Sequence, residues 1–133
     1  MYFSGVARSA NDDCIAFFKL GSSFLKSVKK SLKTDCIRYT AILDKPVERV
    51  AVCGGAGRFL LNSAIGAGAD VFITGDFKYH DFFDADGKIT VADVGHFESE
   101  QFTKDLLAEQ ISKKFPTFAA LISNISTNPI KYL

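Results

Sequence analysis

The chain has no tryptophan, two histidines and three cysteines among 133 residues. Each shortage excludes something. With 13 phenylalanines and no indole, burial of apolar surface rests on phenyl rings. Cys14, Cys36 and Cys53 are odd in number and have no paired spacing, which argues against a disulfide framework and for a reducing compartment. No Cys-x-x-Cys occurs, so a structural zinc knuckle is not expected. Cys36 and Cys53 lie in strand-like apolar runs and read as small core residues. No apolar run approaches the ~18 residues of a membrane span. The N-terminus has no basic region followed by an apolar run and a cleavage site. A cytoplasmic protein without a membrane partner is expected. The net charge of +1 gives no case for nucleic acid. No nucleophile elbow, serine triad or cysteine–histidine pair is visible.

What is present fits one globular domain with a sizeable core. Apolar residues make up 47% of the chain. Residues 1–50 carry nine basic and five acidic groups, and residues 51–133 carry seven and ten. Residues 1–20 give turn chemistry and an apolar stretch, Cys14 to Leu20, without a clear element. Ser22 or Ser23 can cap a helix carrying Phe24, Leu25, Val28 and Leu32 on one face and a solvated lysine face opposite. Strands are predicted over 36–43, 47–53, 70–74, 89–94 and 117–123. Helices are predicted over 59–65, 78–83 and 96–115, the last ended by Pro116. Strands alternating with helices define an α/β fold, with a layered, mixed or mostly parallel sheet of about five strands flanked by helices. Sites in such sheets gather at the carboxyl ends of the strands. Three strands end in unusual chemistry: a glycine loop after Cys53, Asp76 after Thr74, and Asp93 to His96. If these strands are neighbours, all three features line one edge.

His96 and Glu100 are four apart, so a helix stacks them on one face, where both can reach one divalent ion. The wheel places them on an arc with Leu107, Ile111 and Phe115, the stripe expected to face the core. Glu98 reads as a helix-start acid that favours the macrodipole. Two ligands do not complete a zinc site, so Asp76, Asp93 or another polypeptide must contribute. Asp76 also reads as a helix cap, and His80, four residues on, as a packing residue or a group behind the ligands. The loop Gly54, Gly55, Ala56, Gly57 lacks the third glycine of a dinucleotide fingerprint and is no Walker loop. It reads either as a tight turn for close packing or as an anion loop. Asp84-x-Asp86-Gly87 is a turn, since Phe82 stands where a calcium loop needs its first ligand.

Three segments together carry a family resemblance: 50–57 (VAVCGGAG), 68–80 (GADVFITGDFKYH) and 93–100 (DVGHFESE). They resemble the carboxyl-terminal half of the Nif-three-like proteins, often labelled type-two GTP cyclohydrolase I homologues. The similarity runs from about Phe24 to the end, including Thr34 to Arg38 and the closing Asn128 to Tyr132. It divides the chain into an unassigned segment, 1–20, and a carboxyl-terminal α/β lobe, 21–133. The resemblance implies a two-lobed fold with a dinuclear site, metal-dependent hydrolase (cyclohydrolase-like) chemistry on a nucleotide-like or phosphorylated small molecule, and a homo-oligomer, commonly a hexameric ring. It makes His96 and Glu100 metal ligands and leaves zinc, manganese, iron and magnesium open. It draws the other ligands, a histidine pair and an aspartate, from an amino-terminal half. The chain thus reads as a separated lobe, inactive alone, whose partner is that missing lobe or a full-length homologue. Tyr39 departs from the pattern, standing where relatives often have His. The other reading is a non-catalytic module that binds metal or an anion, or serves assembly.

Overall fold

A computed structural model describes residues 4–8, as backbone alone, and residues 21–133. Its centre is a five-stranded sheet. The strands are β1 (Ser4–Arg8), β2 (Arg38–Tyr39), β3 (Arg49–Ala56), β4 (Val71–Gly75) and β5 (Thr90–Asp93). The order across the sheet is β1-β3-β4-β5-β2. β3, β4 and β5 run parallel as neighbours, and the two edge strands are antiparallel. The three chemically unusual strand ends therefore do share one edge, as a run of parallel neighbours requires.

Alternation along the central strands feeds two cores. One face presents Ala51, Cys53, Phe72 and Val91 to Leu61 and Ala64 of α2 (Leu61–Gly66) and to Phe77 and Ile89. The other presents Val50, Val71, Ile73 and Ala92 to Phe24, Leu25 and Val28 of α1 (Gly21–Ser31). The helix expected over 59–65 begins as a 3-10 turn, Arg58–Leu60, and the one expected over 78–83 is a 3-10 segment, Tyr79–Ala85.

Five expectations fail. Residues 117–123 form no strand. The fifth strand is instead Ser4–Arg8, which pairs with β3. The long helix is broken at Gln101 and Phe102 into α3 (His96–Glu100) and α4 (Thr103–Lys114). The break resets the helical wheel, so Leu107, Ile111 and Phe115 are exposed rather than inward. The inward acid of α3 is Glu98, 5% exposed, and not the His96–Glu100 pair. Cys53 is buried as expected, whereas Cys36 is exposed, because β2 is only two residues long and starts after it. Cys14 and the rest of 9–20 lie outside the described residues. Among the described residues, no helix is long and apolar enough to cross a membrane.

The sheet ends at β2 in an unusual way. Thr40 donates its amide to the Val91 carbonyl (3.1 Å), while its hydroxyl oxygen accepts the Val91 N–H (2.9 Å). A side chain thus takes the ladder position that backbone would occupy.

Asp70 anchors the start of β4. Its Oδ2 accepts the amides of Glu48 (2.9 Å) and Arg49 (2.8 Å), and Lys45 pairs with Oδ1. Burial pushes the carboxyl up, but the Lys45 ammonium and the two amides outweigh it, so its pKa lies below the ordinary value. A folded-state pKa below the unfolded one means stability that is present above the unfolded value and lost as pH falls through the folded one. Asp70→Asn is expected to cost about 1–2 kcal/mol at neutral pH. Urea denaturation from pH 7 to pH 3 should show the gap between variant and parent closing in acid. A gap constant with pH would contradict this role.

Candidate functional site

Each turn on the carboxyl edge is shaped by glycine. Near the end of β3 the register shifts between Val52 and Ala56, and Gly55 sits there at φ +67. Its amide donates to Ser99 Oγ (2.8 Å), and its carbonyl accepts from Thr74 Oγ1 (3.1 Å). Ser99 Oγ in turn donates to the His96 carbonyl (2.8 Å). This stitches the glycine loop against α3. A Cβ on Gly55 would stand 2.9 Å from Glu100 Oε1 and 3.2 Å from His96 Nε2. The loop is therefore a floor beneath the two side chains, built low enough only by omitting a side chain.

The second and third turns are tied together by Asp93. Its carboxylate is 3% exposed at residue level; Oδ2 accepts the Phe77 amide (3.0 Å) and pairs with Arg38, and Oδ1 accepts the Gly95 amide (3.0 Å). One buried group thus fixes both the loop that carries Asp76 and the loop that carries His96. Sequence reasoning left Asp93 open as a ligand; with two amides and a guanidinium on it, it acts as a brace. Arg38, which supplies that guanidinium, also donates to the Phe77 carbonyl (2.9 Å). Neither role has a signal at the level of spacing, since Arg38 and Asp93 meet only through the β2–β5 pairing.

On this frame three side chains converge. Asp76, held at φ +60, lies 2.5 Å from His96 Nδ1. His96 Nε2 faces Glu100 Oε2 at 3.4 Å. The imidazole pKa is raised, chiefly by the Asp76 hydrogen bond, against an opposing effect of partial burial and with help from the Glu100 charge. A carboxylate on one ring nitrogen fixes the ring and increases the basicity of the other. Two donors on one tetrahedral ion stand about 3.4 Å apart when each bond is about 2.1 Å. The His96–Glu100 separation fits two corners of such a site. Among the described residues no group of three or more His, Cys, Asp or Glu is placed to share an ion. Asp76 is engaged on the far side of the ring.

His80 is not brought to this cluster. It is exposed on the 3-10 segment, with its ring against Tyr79 and Phe83. Tyr39 is also remote, lining a separate cleft with Tyr79, Phe82 and Phe83. Cys53 lies under the glycine loop, its thiol pKa pushed up by burial and by the Glu100 charge.

Beside the pair lies a recess of about 380 Å³, bounded by α3 and by Asn128, Pro129 and Ile130 of the tail. The tail has no regular structure and is fastened to Glu98. Oε1 of Glu98 accepts from Asn128 Nδ2 (3.0 Å) and from the Tyr132 hydroxyl (3.3 Å). Burial, then the Glu98 charge, pushes the Tyr132 phenol up, which keeps it a donor. The Glu98 role was missed in the sequence, where a helix-start position explained the residue without any distant partner.

A mixed α/β lobe with a histidine–carboxylate pair at the ends of three parallel strands defines the class. The sequence pattern of Duf34/NIF3 (NGG1p interacting factor 3) matches residues 19–129, and the chain belongs to that family. It is 38% identical over 117 residues to a Staphylococcus epidermidis protein named GTP cyclohydrolase 1 type 2 homolog, covering 82% of this chain and 31% of that protein. A Streptococcus pneumoniae protein of the same name is 33% identical over 138 residues, covering 97% of this chain and 50% of that one. The chain thus spans from 31% to 50% of the length of these relatives. Among solved structures, a Bacillus cereus protein related to NIF3 matches with a TM-score of 0.70 and 30% identity, over 99% of this chain and 34% of that one. A Staphylococcus aureus protein matches with a TM-score of 0.78 and 26% identity, over 98% and 42%.

Proposed function

We propose that this chain is one lobe of a divalent-metal-dependent hydrolase acting on a nucleotide-like or phosphorylated small molecule. His96 and Glu100 supply two of the metal ligands. One observation carries the reading: an imidazole nitrogen and a carboxylate oxygen stand at ligand-to-ligand distance over a glycine floor, with Asp76 fixing the ring from behind. A bound ion supplies Lewis-acid activation of a water or a substrate oxygen. Asp76 holds Nδ1 so that Nε2 is the nitrogen offered. The name shared by the relatives supports a nucleotide-like substrate. The remaining ligands come from outside the described residues, supplied by an amino-terminal lobe, and two ions fill the complete site.

Calorimetric titration with zinc and with manganese tests this. The chain alone is expected to take up metal weakly, and His96→Ala to abolish the uptake. Asp76→Asn is expected to lower affinity by about 10-fold or more while leaving both ligands in place. Heats unchanged in His96→Ala would overturn the assignment. The second reading, an assembly module, is favoured by the exposed apolar residues of α4, Leu106, Leu107 and Ile111. It predicts oligomers that persist in His96→Ala and no metal uptake by the parent chain.

A further inference from the structure

We propose that residues 128–132 are a strap that controls access to the His96–Glu100 pair, with Glu98 as its latch. The proposal rests on reading that pair as the site. The recess has α3 on one side, through His96, Phe97 and Glu100, and Asn128, Pro129 and Ile130 on the other. Half of the His96 side-chain surface is exposed, and His96 and Glu100 both line this recess. The opposite wall belongs to no helix or strand.

The wall is held by partial packing and by polar contacts. Ile130 is 50% and Tyr132 40% exposed, so neither side chain is buried in a core. The described hydrogen bonds that cross from 128–132 to another element both end on Glu98 Oε1. Within the strap, Asn128 Oδ1 accepts the Ile130 amide (3.1 Å), shaping the bend that presents Pro129. The latch is rigid where it is anchored. Glu98 is buried, and its carboxylate lies against Gly95, where any side chain would collide with it. Its Oε2 has no hydrogen-bond partner among the described residues, so the strap's two donors converge on the other oxygen. A segment fastened by two bonds to one charged acceptor opens as a unit, independently of the sheet core. Closed, it narrows the recess beside the pair. Open, it leaves that side to solvent.

The test uses the metal-free chain, so it does not depend on metal uptake. Asn128→Ala combined with Tyr132→Phe removes both donors. Trypsin reports strap opening through cleavage after Lys131. Diethyl pyrocarbonate reports access, because His96 and His80 are the chain's histidines and His80, remote from the strap, serves as the internal reference. Cleavage after Lys131 is expected to accelerate about tenfold, and the His96-to-His80 modification ratio to rise about threefold. A chain ending at residue 127 should show the same ratio, and repeats the measurement if the double variant aggregates. Unchanged cleavage would mean that Glu98 latches nothing. Faster cleavage with an unchanged histidine ratio would mean that the strap guards nothing. Either result overturns the proposal, and neither bears on whether the pair holds a metal.

Discussion

Replacing Asp93 with alanine is expected to cost roughly 3–5 kcal/mol, a large share of the total stability of such a domain. The carboxylate is almost wholly buried and accepts two backbone amides as well as Arg38. Alanine leaves the Phe77 and Gly95 N–H groups without that acceptor, and each buried donor left unpaired costs about 1–3 kcal/mol. Arg38 adds less to the loss, because its side chain is more than half exposed and water can take over. Asp93→Asn keeps one carbonyl acceptor and should fall between parent and alanine. Guanidinium denaturation measures the effect, and the thermal midpoint should drop by roughly 10–20 °C. A loss below about 1 kcal/mol would show that the two loops are held by packing instead.

The second large effect is expected at Gly75. A Cβ there would stand 2.9 Å from the His96 amide nitrogen and 3.0 Å from the Gly95 carbonyl carbon and oxygen. These are backbone atoms at the start of α3, so relief requires moving the helix that carries His96 and Glu100. Overpacking of this kind costs about 1–3 kcal/mol. Because the strain falls on α3, metal uptake by the pair should weaken together with stability. Gly66→Ala is the matched control: nothing lies within 4 Å of its added Cβ. It should be neutral or stabilise by a fraction of a kcal/mol, about 0.4–1. Equal behaviour of the two variants in denaturation and zinc titration would refute the close-approach account.

The parts of the sequence that could be read correctly were those where local pattern and tertiary position agree. The central strands are short β-rich runs bounded by Gly and Asp, and they are largely buried on both faces: Val50, Ala51 and Cys53 in β3, and all of Val71 to Gly75 in β4. Their adjacency was left as a condition in the sequence, and the parallel pairing of β3, β4 and β5 meets it. The stacking of His96 on Glu100 needs just one turn of helix, and one turn exists. Reading failed where a pattern needed a distant partner. The apolar residues of 117–123 resemble a strand, yet no described strand pairs with them. Leu107, Ile111 and Phe115 keep helical spacing, yet the Gln101–Phe102 break turns their helix away from the core. Gln101 itself donates to the Leu32 carbonyl (2.7 Å), a contact across 69 residues that periodicity cannot register. Glu98 shows the same limit, since its bonds reach 30 and 34 residues downstream.

Thr40 has a consequence of a different kind. An uncovered sheet border is a template on which foreign chains can polymerise. Here the Val91 N–H of β5 would be left open where the two-residue β2 stops, but a hydroxyl from the same molecule takes it. At that rung the molecule closes its own inner strand, so a foreign chain finds no free donor there once the short last strand has ended.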